Sequence, residues 1–225
     1  MSHKPLLEVA QNDFHLPLGF VVCLKSYLID RKQRILHNDD KFTDWISCIS
    51  GVPQGSVLGP ILFCMLMNSY EPLYPSTKAV LFSDNLTLLH HTGLNIDRSQ
   101  VEIDHLVQWC SNNSMTINVG KCASMTFTFN DKVFNDVFIY KSKVSEVDEL
   151  KLLGIIISKF LNSKNHGNHV LTKAAVAMAM IRKLKGTGMS GKYLWSAYIS
   201  LVFSQLSYCW PAVCDISILA KYIKN

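Results

Sequence analysis

Apolar and polar positions alternate between two periods along the chain. Over residues 21–36 the apolar residues Val22, Leu24, Tyr27 and Leu28 recur at mixed helical spacing, and the basic cluster Arg31, Lys32 and Arg34 leads into Ile35 and Leu36; the pattern predicts a helix running into a strand. Asn38, Asp39 and Asp40 predict a turn, and 42–49 alternates as the returning strand of a hairpin. Gly51, Pro53 and Gly55 punctuate a loop. Ser56 is placed to cap an apolar helix over 57–70, with Pro60 tolerated near its first turn and Pro72 and Pro75 ending it. Residues 79–83 and 86–90 are short apolar runs around Asp84-Asn85, a dipeptide suited to a tight hairpin turn. An amphipathic helix over 101–112 and strand-like alternation over 117–129 follow. Residues 150–157 read as one buried strand, and 170–184 as a helix with Lys173, Arg182, Lys183 and Lys185 on its polar side, closed by Gly186 and Gly188. Helix and strand alternate without internal repeat or low-complexity tract.

One segment has two readings. Residues 193–214 carry no charge over 22 positions between Lys192 and Asp215, a length that would span a bilayer. The same run holds Ser196, Ser200, Ser204, Gln205, Ser207 and Pro211, and its aromatic residues are spread along it instead of gathering at its ends, which favours a buried helix packed on the preceding basic one.

Length and composition, 225 residues and 48% hydrophobic, allow one domain with an appendage or two small ones and argue against disorder. Seven scattered cysteines, never at knuckle spacing, signal neither a zinc site nor a disulfide framework. Residues 1–11 lack a basic-then-apolar leader pattern, so an intracellular location, cytoplasmic or nuclear, is expected. The net charge of +5 hides an asymmetry: residues 1–150 sum to −4, whereas 151–225 sum to +9 with the single acid Asp215. A basic segment on a slightly acidic body points to a polyanion, either a nucleic acid backbone or an anionic membrane surface.

The decapeptide Gly51-Val52-Pro53-Gln54-Gly55-Ser56-Val57-Leu58-Gly59-Pro60 resembles the Gly-x-Pro-Gln-Gly loop of reverse transcriptases in the extended form shared by non-long-terminal-repeat retrotransposons. Glycines let backbone approach a ligand closely, Pro53 stiffens the approach, and a following helix N-terminus favours anionic groups. Other stretches agree in order: Ser26-Tyr27-Leu28-Ile29-Asp30-Arg31-Lys32-Gln33 resembles the family's Ser-Tyr-Leu-x-x-Arg-x-Gln stretch, and Phe82-Ser83-Asp84-Asn85 occupies the place of its aromatic-x-Asp-Asp box. Leu106-Val107-Gln108-Trp109-Cys110 with Asn113, Asn118 and Lys121 resembles the helix and strand that follow. Leu152-Leu153-Gly154 resembles the primer-grip strand, and Lys173-Ala174 with Leu201-Val202 and Tyr208-Cys209-Trp210 the thumb and post-thumb region.

The resemblance implies an α+β fold: a partial right-hand polymerase palm, a sheet flanked by helices, over 1–150, then a primer-grip strand, a basic helical thumb and a post-thumb helix over 151–225. It implies RNA template and DNA primer as partners and Mg2+ as cofactor. Gly51, Pro53, Gln54 and Gly55 would lie against template and incoming nucleotide, and Lys121 near the leaving pyrophosphate. Arg31 and Arg34 would contact template phosphate or simply coat a helix end, and Leu153 and Gly154 would belong to the primer grip. Lys173, Arg182, Lys183 and Lys185 would hold nucleic acid. Nucleotidyl transfer on two Mg2+ ions needs converging carboxylates. Asp84 is the expected metal ligand, but the box continues with Asn85, whose side chain brings an oxygen without charge. If Ser2-His3 align with the family's Val-Ser-His stretch, the first catalytic Asp falls two residues before Met1. The expectation is therefore a reverse transcriptase fragment without turnover, with a non-catalytic RNA- or DNA-binding module as the alternative and a membrane-anchored protein as the third.

Overall fold

A computed structural model describes residues 2–37, 41–91, 98–127 and 135–208. In chain order the elements are α1 (His3–Asn12), α2 (Leu18–Leu28), β1 (Lys32–Gln33), β2 (Leu36–His37), β3 (Lys41–Phe42), β4 (Ile46–Ser47), α3 (Leu58–Met67), β5 (Thr77–Phe82), β6 (Asn85–His90) and α4 (Ser99–Asn112). A 3-10 turn at Val119–Lys121 precedes β7 (Ala123–Ser124), β8 (Phe138–Ile139), β9 (Ser142–Lys143), β10 (Ser145–Glu146), β11 (Glu149–Leu152) and β12 (Ile155–Ser158). Helices α5 (Lys164–Gly186) and α6 (Gly191–Tyr198), a π-helical turn at Ile199–Phe203 and α7 (Ser204–Ser207) complete the described chain. The chain divides into two compact units, one of residues 1–122 with 135–144, the other of 123–134 with 145–225.

In the first unit each helix buries one stripe at three- and four-residue steps, the period that puts side chains above one another on a helix. Leu6 and Ala10 of α1, Leu24 and Leu28 of α2, and Leu62 and Leu66 of α3 form one core. A second cluster sets Leu106 and Cys110 of α4 against Tyr70, with Leu86 and Leu88 of β6 and Trp109 packed around them. The second unit closes α5 on the following helical segment through Ala174, Ala177, Ile181 and Val202, with Leu194, Ala197 and Tyr198 against them.

The mixed α+β content agrees with the sequence, but the single helix-flanked sheet does not appear among the described residues. Every described strand pairs with one partner only: β1 with β4, β2 with β3, β5 with β6, β7 with β10, β8 with β9 and β11 with β12. Most of these strands are two residues long, too short to present a full second edge to a third strand. Three local expectations also shift. Residues 42–49 split into β3 and β4, which pair with different partners. The strand expected over 150–157 is a hairpin, since Leu153 and Gly154 adopt φ of +49° and +89° and fold β12 back on β11. Lys121 lies in a 3-10 turn and not on a strand. The turn at 38–40, the end of the 117–129 run and the apolar residues from 209 on lie outside the described residues. Among the described residues no helix is long and apolar enough to cross a membrane.

The β5–β6 hairpin is placed by a charge. Glu102 of α4 is only 1% exposed, standing where the apolar stripe of α4 would call for a leucine. Its Oε1 accepts from the Tyr70 hydroxyl at 3.1 Å and the Leu73 amide at 3.0 Å, and its Oε2 from the Tyr74 amide at 3.2 Å and the Thr77 hydroxyl at 3.0 Å. Because the Thr77 O–H is committed to Glu102, His90 Nδ1, 2.7 Å from the Thr77 oxygen, must be the donor of that pair. Burial alone would raise the Glu102 carboxyl; the Leu73, Thr77, Tyr70 and Tyr74 donors outweigh it and hold the pKa below the ordinary carboxylate value. Burial raises the Tyr70 phenol in turn, and its bond to the Glu102 carboxylate raises it further.

Replacing Glu102 with alanine would strand the buried Tyr70 and Thr77 hydroxyls and leave the part-buried Leu73 and Tyr74 amides without an acceptor, a loss of about 3 kcal/mol by the cost of unpaired buried donors. Urea titration followed by tryptophan fluorescence, which includes Trp109 edge-on to Tyr70 at 5.4 Å, reads that loss. Since the folded pKa lies below the unfolded one, the carboxylate's contribution is complete above about pH 4.3 and disappears as pH falls through the folded value. The alanine variant should therefore lose much of the acid-induced drop in stability shown by the parent chain.

Candidate functional site

The loop Gly51-Val52-Pro53-Gln54-Gly55 is held from inside. Gly51 and Gly55 adopt φ of +78° and +77°, the left-handed region where a side chain is strained. The Gly51 carbonyl accepts two hydrogen bonds, from His3 Nε2 at 2.9 Å and from the Arg31 guanidinium at 3.1 Å. Arg31 Nε also donates to the Leu28 carbonyl at the end of α2, 3.2 Å away. Arg31 thus ties the helix end to the loop, so its donors at Nε and one amino group are engaged by backbone. At the other end the Ser56 hydroxyl donates to the Pro53 carbonyl at 2.7 Å and accepts from the Gly59 amide at 3.0 Å, so Ser56 bonds the first turn of α3 from one residue before its N-cap, Val57. A Cβ on Gly59 would meet Pro53 O at 2.8 Å and Ser56 Oγ at 3.0 Å, so glycine is what lets α3 begin this close to the loop. Val52 and Leu58 pack against the three-helix core, while Gln54 and Gly55 are exposed.

Arg34 is placed elsewhere. Its guanidinium lies 3.7 Å from the Phe42 ring centroid and 4.6 Å from that of Trp45, a double cation–π contact on an exposed hairpin.

The acidic hairpin differs from expectation by one residue. Phe82 pairs with Asn85, which leaves Ser83 and Asp84 as the two-residue loop and makes Asn85 the first residue of β6. Ser83 has φ +54°, the positive value at the first loop position that the mirror-image hairpin turns require. That register sets Leu81 opposite Leu86, Ala79 opposite Leu88 and Thr77 opposite His90. These residues share the face that meets α4 and Glu102, and a slip of one would turn Leu86 and Leu88 away from it. Asp84 and Asn85 are both exposed, as is Lys121. Asp84 and Lys121 take part in none of the ion pairs among the described residues.

In the second unit Leu153 and Gly154 form the tip of the β11–β12 hairpin. The Tyr208 hydroxyl donates to the Leu153 carbonyl at 2.7 Å across 55 residues of sequence, and a Cβ on Gly154 would touch the Tyr208 ring at 3.4 Å. Buried His166 of α5 accepts the Ile156 amide on Nδ1 at 3.2 Å, tying the hairpin to the helix. Burial, and then the neighbouring His169, push that imidazole below its ordinary pKa, which keeps Nδ1 free to accept. Lys173, Arg182, Lys183 and Lys185 are exposed along α5 and take part in none of the ion pairs among the described residues.

Residues 2–157 match the sequence profile of the family described as Reverse transcriptase (RNA-dependent DNA polymerase). The chain belongs to the reverse transcriptase family. Among curated relatives, it is 30% identical over 180 residues to the RNA-directed DNA polymerase from mobile element jockey of Drosophila melanogaster, covering 73% of this chain and 19% of that protein. The jockey protein of Drosophila funebris is 31% identical over 127 residues, 52% of this chain and 14% of that one. A probable RNA-directed DNA polymerase from transposon X-element of Drosophila melanogaster is 26% identical over 171 residues, 73% of this chain and 19% of that one. The chain therefore spans a fifth or less of the length of these relatives and is a reverse transcriptase domain related to those of non-long-terminal-repeat retrotransposons. No solved structure matches it.

The family's chemistry calls for divalent metal ions held by converging carboxylates. Among the described residues no three His, Cys, Asp or Glu side chains gather where they could hold one ion, and Asp84 offers a single carboxylate from an exposed loop. These residues do not fit a pair of ions. Sequence reading missed Glu102, His3 and His166 as organising groups. Only Glu102 left a trace, as an acid four residues before Leu106 and eight before Cys110 on the stripe that α4 buries.

Gly59→Ala should loosen the loop at a cost of about 1–3 kcal/mol, because Pro53 O or the start of α3 must move. Gly19→Ala, on a helix with nothing within 4 Å of the added methyl, should be neutral or stabilise by up to about 1 kcal/mol. Thermal melts of the two variants, with limited proteolysis of the 51–59 loop, separate the outcomes.

Proposed function

We propose that this chain is a nucleic-acid-gripping reverse transcriptase domain that does not extend a primer by itself. The observation carrying this reading is the β5–β6 hairpin, whose loop presents Asp84 and whose next residue is the neutral Asn85. Two metal ions flanking a reacting phosphate carry four positive charges, and one carboxylate neither balances them nor fixes their spacing. Gripping rests on other parts. Gly51, Pro53, Gln54 and Gly55 form the surface for template and nucleotide, set by the bonds of His3 and Arg31 to Gly51. Residues 151–208 act as primer-grip hairpin and thumb, with Leu153 and Gly154 at the hairpin tip and the cations of α5 toward phosphate. RNA template and DNA primer are the partners, in the cytoplasm or nucleus, and Mg2+, the family's cofactor, is not held productively. Lys121, exposed on its 3-10 turn, is left as a general cation.

Eight Lys and Arg and no acid stand over residues 151–192, a density that favours phosphate contacts with counter-ion release. Reversing the charge of Lys173, Arg182, Lys183 and Lys185 together should abolish retention on an oligonucleotide column, and in the parent chain retention should fall steeply with salt and vary little with sequence. Unchanged retention in the quadruple variant would remove the role given to α5.

Primer extension on an RNA template should be undetectable with Mg2+ or Mn2+, and Asn85→Asp alone should not restore it. Extension by either protein would overturn the non-extending reading.

A further inference from the structure

The sequence of α6 puts two kinds of residue on adjacent sides of one short helix. Leu194, Ala197 and Tyr198 pack against the α5 core. Trp195, a quarter-turn away from Leu194, is 64% exposed, although an indole gains more from burial than almost any other side chain. It is nevertheless ordered by a partner. Its ring stacks on Tyr198 with centroids 5.4 Å apart and planes 23° from parallel. Tyr198 is half-buried against the core, so it fixes the inner ring of the stack, and the outer ring, Trp195, keeps an open surface. Such a stack costs little ordering entropy when a third ring is added, because each side chain has only two torsions and packing already limits them.

Charge says which third ring. Lys192 is three residues before Trp195 on the same side of α6 and is exposed. From 151 to 207 the chain holds no acid, and the acids just before it are engaged: Asp148 pairs with Lys159 at 2.6 Å, and Glu149 accepts from Asn165. An exposed flat ring beside an exposed lysine, on a segment that carries no acid, fits a partner that is aromatic and anionic at once. We propose that Trp195, backed by Tyr198 and flanked by Lys192, is a stacking platform for an unpaired nucleobase of single-stranded nucleic acid. Bases inside a duplex show no free face, so the platform distinguishes single strands from duplexes where phosphate contacts do not. The inference rests on the proposed gripping role of the basic α5 region and adds to it a preference for unpaired strands.

The test uses the whole chain with a mixed-sequence 12-nucleotide RNA, the same sequence as DNA, and the corresponding duplex, read by tryptophan quenching and by fluorescence anisotropy of labelled strands. Saturable quenching by one or both single strands, the tighter one naming the natural ligand, is the expected result. Trp195→Ala should weaken single-strand binding roughly 5- to 150-fold, the span of one lost base stack, with no change for the duplex or in the slope against salt. Trp195→Phe should keep most of the affinity and lose the quenching, which separates loss of stacking from loss of fold. Equal binding of single strand and duplex, or a Trp195→Ala variant that binds like the parent, overturns the platform while leaving the basic-helix reading in place. No binding by the parent chain overturns both. A blue shift of Trp195 on anionic lipid vesicles without quenching by oligonucleotides would replace the nucleobase with a lipid surface.

Discussion

A buried carboxylate organises the first unit. Glu102 sits on the inward face of α4 and satisfies two consecutive amides, one phenol and one hydroxyl from the segment that links α3 to β5. The two hydroxyls among them would otherwise be buried beside the apolar Leu106–Cys110 stripe with nothing to accept them. The same four bonds fix where β5 begins, and through the Thr77–His90 pair they fix the far end of β6. An ion pair with a cation would have required desolvating two charges; a carboxylate met by neutral donors desolvates one. The bonds tie the β5–β6 hairpin to α4, and the loop bearing Asp84 is aimed by a residue 18 positions further along the chain.

The glycine loop follows a comparable economy. Its conformation depends on a single carbonyl, that of Gly51, reached by His3 from α1 and by Arg31 from the end of α2. Both donors are polar side chains turned toward backbone, and Arg31, expected to meet template phosphate or to coat a helix end, holds the end of α2 to the loop. The decapeptide therefore works as a small folded object: its glycines supply positive φ at two points and close approach at a third, and Ser56 closes it on the helix it starts. Membership of the reverse transcriptase family accounts for the sequence of this loop, and the bonds to Gly51 account for its form.

The second unit uses packing where the first uses charge. Small residues, Ala174 and Ala177, let α5 lie close to the following helices, and Tyr208 and His166 bind the β11–β12 hairpin from two sides. With hairpin and helices so tied through neutral groups, the lysines and arginine of α5 stay at the surface, where their charge is available to a polyanion.

Much of this was legible in the residues alone. Helices α2 to α5 announced themselves by period, the family by the order of its motifs, and the basic character of the C-terminal third by counting. These are local properties: a period, a motif or a charge needs only its neighbours to be recognised. What the chain alone did not reveal were quantities set between distant segments. The Asp84 loop lies one residue earlier than the dipeptide suggests because Thr77, held by Glu102, pairs with His90 at the far end of the hairpin, a requirement imposed from outside its turn. The strand over 150–157 became two because Leu153 and Gly154 take left-handed backbone, a conformation that an apolar run does not advertise. Arg31 went to a carbonyl and Arg34 to two rings because those partners came within reach only after folding, and Glu102 became an anchor because four donors converged on it. Sequence by itself determined the main helices and the family; tertiary structure decided strand division, register, partner and burial, since each depends on which surfaces meet.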